Sequence, residues 1–210
     1  MKWTRARGRL AVGVLLCGVL HLACKPWTVR PIDKGSDKPF DARTFVDEIW
    51  SAKVVPAAKA SDVDAATAVL ERSAAHQKTH SVMVRGHGVV REVDLASRVG
   101  LARVDLEPTD GHPDAAIQIG PLIRGTALRD ALEFIRFSDF ANQLDYADVA
   151  SELNTRVLGA VLAGVVPADL DGKAVSFRGA VTLGRARGGV VEIVPVVLRM
   201  EHLPGEEPKR

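Results

Sequence analysis

Cysteine is nearly absent from this chain, with two in 210 residues, Cys17 and Cys24. Both lie near the N-terminus, so the rest of the chain can form no disulfide and offers no thiol for catalysis. Aromatic residues make up only 5%, which leaves Val, Leu, Ile and Ala to build the core. There is no apolar run of the roughly 20 residues that a membrane-spanning helix needs. No Gly-Lys-Ser/Thr phosphate loop, no His-Glu-x-x-His helix and no Gly-x-Ser-x-Gly elbow occurs. These absences exclude the common nucleotide-hydrolysing, zinc-protease and serine-hydrolase signatures. Asp47-Glu48 and Glu206-Glu207 are neighbouring carboxylates in sequence that point apart or lie in the tail, and they read as solvated charges.

What is present begins with a leader. Lys2, Arg5, Arg7 and Arg9 form a basic region ahead of the apolar run Leu10 to Leu22, and Ala23-Cys24 closes it. The run is too short to span a bilayer and reads as an export signal, residues 1–23. A cysteine after a small residue resembles a bacterial lipoprotein processing site, where the thiol is acylated and the leader cut away before it. His21 departs from that pattern, standing where an aliphatic residue is usual. Lys25 after the cysteine is not the Asp that retains such proteins at the inner membrane, which favours the outer membrane. Removing residues 1–23 takes four of the 28 basic residues and none of the 26 acidic ones. A formal net charge of +2 becomes −2, so the basic balance belongs to the leader. A mildly acidic body argues against nonspecific nucleic-acid binding.

Residues 24–40 are rich in Pro, Lys and Asp and read as a tether. Residues 41–78 predict two helices. Asp41 caps the first, which carries Phe45, Val46, Ile49 and Trp50 on its apolar side and ends before Pro56. Ser61 or Asp62 caps the second, with Ala66, Val69, Leu70 and Ala74. From Val82 the period changes to alternation. A long strand follows to Val93, with Gly86 and Gly88 allowing a bulge or sharp coil. Val99–Leu106 is the return strand, Ala115–Ile119 a third, Lys173–Leu183 a fourth and Val190–Met200 a fifth. Pro195 inside the last favours an edge or bulge position. Gly184–Gly189 reads as a hairpin turn.

Between strands three and four, residues of about 125–164 predict helices. Thr126 caps one through Arg136, and Asp139 caps a further turn before a long helix ending at Gly164. The expected fold is therefore α+β. It is a five-stranded, antiparallel barrel of the oligonucleotide/oligosaccharide-binding (OB) kind over residues 79–203, with a helical insertion, N-terminal helices and a polar tail from 204. An open antiparallel sheet with helices on one face is the alternative.

Two polar groups in the insertion are candidate ligand-binding sites. Arg124, Thr126, Arg129 and Asp130 cluster where strand gives way to helix, a place suited to a carboxylate, a phosphate or sugar hydroxyls. Equally, Thr126 is a cap and Arg129 pairs with a nearby carboxylate. Asp139, Asn142 and Gln143 lie beside Phe137, Phe140 and Tyr146, a combination that suits a sugar ring. Equally, Asp139 is a cap, the rings are core and the amides satisfy backbone. Asn154, inside a helix, reads as a buried hydrogen-bonding residue. His76 and His80 stand four apart without a third ligand nearby, so no metal site and no cofactor are expected.

The segments CKPWTVRPID, FDARTFVDEIW, QIGPLIRGTALRDALEFIRFSDFANQLDYADVASELN and KAVSFRGAVTL resemble a family of predicted periplasmic lipoproteins, domain of unknown function 2291. The resemblance implies a lipid-anchored envelope protein joining such a barrel to a helical part, with no established activity. Because genes of that family often neighbour those of sugar ABC transporters, it further implies a non-enzymatic binding or accessory role beside a transporter or its solute-binding protein. An OB-type nucleic-acid binder and a hydrolase using Asp130 or Asp139 remain the alternatives.

Overall fold

The computed structural model describes residues 39–72, 79–184 and 190–201. The leader, Cys24, the tether, His76, the tail and nearly all of the Gly184–Gly189 turn lie outside the described residues. One unit of the chain begins at Phe40.

Asp41 caps the first helix, accepting from the backbone N–H groups of Arg43 and Thr44. That helix, α1 (Ala42–Ile49), does not stop before Pro56. It runs through a π-helical segment, Trp50–Val54, into α2 (Val55–Ala60), which has the proline in its first turn. The wider π-turn lets Val55 N–H reach Trp50 O, so the helical path is already re-phased where Pro56 lacks its donor. Helix α3 (Ala65–Arg72) is capped by Asp64 rather than by Ser61 or Asp62, with Ala66 N–H and Thr67 N–H donating to its carboxylate. Ser61 instead donates its hydroxyl to Met83 O on the first strand.

Five strands follow: β1 (His80–Asp94), β2 (Leu101–Leu106), β3 (Ala115–Gln118), β4 (Ala174–Leu183) and β5 (Val191–Glu201). Their pairings close into a barrel in the order β1-β2-β3-β5-β4. The expected all-antiparallel arrangement fails at one seam, because β3 and β5 pair in parallel. The reason is parity. Strand direction cannot alternate around a closed ring with an odd number of members, so one of the five pairs must be parallel.

β1 serves two ladders. Its first ten residues pair with β4 and six of its last seven with β2, overlapping at Gly88 and Val89. The two glycines are places of close approach rather than the bulge itself. A Cβ on Gly88 would stand 2.3 Å from Asp105 O, and one on Gly86 2.5 Å from Phe177 Cζ. The bulge lies at Arg91, between Val90 and Glu92. On β5 the ladder with β4 slips beside Pro195, where a residue without an N–H is tolerated.

Alternation divides the apolar residues between two cores. Val84, Val104, Ile117, Val175, Phe177 and Ile193 fill the barrel, joined by Ala65 and Ala68 of α3. Met83, Ala180, Val194 and Val196 face outward and carry the helices. The insertion is less regular than expected. Helix α4 spans only Ala127–Asp130, and Leu132 and Ile135 continue in tight turns, each closed by an N–H bonded three residues back. Both side chains are still buried, so the apolar spacing served burial without a helix. After a 3₁₀ turn at Phe137–Asp139 comes α5 (Gln143–Val157), prolonged by a π-helical segment, Leu158–Leu162.

Candidate functional site

The outward side of β1, β3, β4 and β5 is only partly covered by helices. Beyond Val194 it opens into a cleft of about 840 Å³. Ser81 of β1, Gln118 of β3, Thr182 of β4 and Glu192 of β5 form its floor, and Arg124, Thr126 and Asp130 form its wall.

Arg124 is fixed by a side chain acting as a strand. Gln118 Oε1 accepts from Arg124 N–H at 2.9 Å, and Gln118 Nε2 donates to Arg124 O at 3.4 Å. The same amide donates to Glu192 Oε2 at 3.2 Å. Gln118 is therefore fully used despite being only 3% exposed, as a buried amide requires. Held in this way, the Arg124 guanidinium meets Glu192 through Nε at 3.1 Å and through a second, shorter contact from Nη2. This is the two-point geometry that suits Arg and carboxylate.

Thr126 does not cap α4 with its side chain; its hydroxyl donates to Asp130 Oδ2 at 2.6 Å. The other Asp130 oxygen accepts from Arg129 Nε and Nη2 at 2.9 and 2.7 Å. Arg129 is buried at 9% exposure, donates to Tyr146 O, and lays its guanidinium 3.7 Å from the centre of the Tyr146 ring. Behind the turn, Asn154 Nδ2 donates to Gly125 O at 2.9 Å. Gly125 has φ +90, the left-handed region that favours glycine.

Of the seven predicted site residues, the structure brings Arg124, Thr126 and Asp130 to the cleft, with Arg129 behind them. Asp139, Asn142 and Gln143 do not line it. Asp139 closes the 3₁₀ turn by accepting from Arg136 N–H at 3.3 Å. Asn142 is the cap of α5, taking Asp145 N–H on its Oδ1 at 2.9 Å, and Gln143 is exposed in the first turn. The neighbouring rings pack on each other: Phe140 meets Phe40, Phe45 and Tyr146, and Tyr146 meets Phe137, at 5.4–5.7 Å. Sequence reasoning passed over Gln118 and Glu192. Each is a polar residue inside an apolar strand, AAIQ and VVEIVPVV, and that interruption was the available signal.

Among the described residues no three His, Cys, Asp or Glu side chains gather as a metal site, and no helix is long and apolar enough to cross a membrane.

A family model described as "Predicted periplasmic lipoprotein (DUF2291)" matches residues 14–199. The chain belongs to this DUF2291 family. The match includes Cys24 and every residue of the cleft. Among solved structures, an OB-fold protein from Thermotoga maritima is similar, with a TM-score of 0.58 and 19% identity. That likeness covers 78% of this chain and all of the other, and at such low identity it speaks for the fold alone. No curated protein matches the DUF2291 chain.

Proposed function

We propose that this protein is a lipid-anchored, non-enzymatic binding module of the cell envelope. On this reading its cleft takes a neutral, hydroxyl-rich ligand in the service of a sugar-uptake transporter. One observation carries the ligand class: the cleft's charges are already matched. Arg124 is engaged by Glu192 and Asp130 by Arg129, so an anion would have to break a two-point ion pair to enter. Helix α4, four residues long, gathers too few aligned peptide dipoles to attract a phosphate. What remains is a surface of hydroxyls, amide and paired ions, which exchanges hydrogen bonds with sugar hydroxyls without unpairing a charge. The same pairing supports a binding role over catalysis, since neither carboxylate is left as a free acid or base. The family description and the leader support the envelope location. The transporter partnership is what the resemblance to that family implies.

Calorimetry on the processed chain should detect neutral mono- or oligosaccharides, with binding lost in Gln118→Ala. Preference for sugar phosphates or uronates over neutral sugars would overturn the ligand class. Failure to recover a transporter subunit or solute-binding protein from gently solubilised membranes would overturn the partnership.

A further inference from the structure

We infer that the aromatic ribbon where the tether joins the fold is a membrane-docking surface, seated on the interface of a zwitterionic phospholipid bilayer. The ribbon runs Phe40–Phe140–Tyr146–Phe137, each ring 5.4 Å from the next. It is open to solvent at its ends, with Phe40 39% and Phe137 56% exposed. Leu144, in the first turn of the helix that supplies Tyr146, is 74% exposed. A soluble protein gains nothing from displaying these side chains, and such clusters mark places of contact.

Connectivity identifies the occupant. Phe40 begins the unit that carries the ribbon and follows Cys24 by 16 residues. Even fully extended, that length reaches at most about 55 Å. A chain held by acyl groups at Cys24 therefore keeps Phe40, and the ribbon it belongs to, within that distance of lipid. Tethering raises the effective concentration of the face at the bilayer to the millimolar range, where a few rings and a leucine suffice. Tyr146 adds an amphipathic ring of the kind enriched at headgroup level. Charges near the ribbon are of both signs and largely matched, Arg129 on the Tyr146 ring being paired with Asp130 and exposed Arg136 standing in the same stretch as Asp139 and Asp145, so the surface does not select anionic lipid. Docking would also fix the orientation of the cleft above the membrane, which a free tether would not.

The inference rests on the anchored reading, and the test separates the two. Trp27→Phe removes the tether's tryptophan, Trp50 is buried, and Leu144→Trp supplies the reporter. One arm uses the protein purified from membranes with whatever Cys24 carries. The other uses the processed chain, whose sole cysteine is Cys24, coupled to a maleimide phospholipid. Both are placed in phosphatidylcholine vesicles with acyl-brominated lipid. Docking predicts at least twofold quenching at position 144 in the coupled arm, none for Leu95→Trp in the β1–β2 turn, and loss of quenching when Phe137→Ser is added. Quenching in the coupled arm alone leaves docking standing and removes native acylation. Equal fluorescence with and without brominated lipid in the coupled arm overturns docking. So does a dimer of the processed chain that Phe137→Ser dissociates, because a second copy would then own the face.

Discussion

Arg91 and Arg124 each meet a carboxylate through two guanidinium nitrogens, yet the two pairs sit in opposite surroundings. The Arg91 partner, Asp105, has no exposed surface, and backbone N–H groups of Asp110 and Gly111 complete its shell at 3.1 and 2.8 Å. Arg91 is the extra residue of the β1 bulge, which turns its side chain toward Asp105. This pair ties the β2–β3 loop to the barrel. Glu192 keeps 20% of its side-chain surface and Arg124 39%, and their pair faces a cleft. The same pair of residue types thus clasps a loop where backbone N–H groups finish the shell, and lines an open cleft where solvent finishes it.

The largest expected difference between the pairs is in stability. Asp105→Ala should cost about 3 kcal/mol in urea unfolding, because it strands two loop N–H groups and a guanidinium. A cost below about 1 kcal/mol would break the contrast. Acid should act on the same site. Burial pushes the Asp105 carboxyl up, but the Arg91 guanidinium and the two N–H groups outweigh it and hold it below the usual carboxylate range. A group depressed in the fold stabilises fully above its unfolded value of 3.8. That contribution is lost as pH falls through the lower folded value. Asp105→Asn should lack this component in a stability titration between pH 5 and roughly 2.

Next in size is Gly88→Ala, whose methyl would meet Asp105 O at 2.3 Å. A cost of about 2 kcal/mol is expected from forcing β1 and β2 apart, read as a lowered unfolding midpoint. Glu192→Gln should be the mildest, at about 0.5 kcal/mol, since a part-exposed pair contributes little. Its effect should appear in ligand affinity, and a loss of stability matching Asp105→Ala would show that the cleft pair is structural after all.

Several of these features were legible in the chain itself. Asp41 before an amphipathic run gave a cap that the fold uses. Asn154 inside a helix announced a buried hydrogen bond, and Pro195 in a strand announced the slip beside it. Alternation in β4 placed Val175, Phe177, Val181 and Leu183 on the interior side. Other features were not legible. Pro56 argued for a helix end, but the π-helical segment Trp50–Val54 carried the helix through, and such a segment leaves no sequence mark. Leu132 and Ile135 fit a helical period that the chain satisfied with turns. Asp139 and Asn142 are both good caps, and only the path after Phe140 made Asn142 the one that caps α5.

Local sequence settled what depends on neighbours within a few residues: the Asp41 cap, the strand faces and the composition of the core. The tertiary structure alone decided what depends on closure. An odd ring of strands imposed one parallel seam between β3 and β5, and that seam brought Gln118 and Glu192, 74 residues apart, onto Arg124. Contacts at that separation are fixed by how the barrel shuts, and no short-range pattern encodes them.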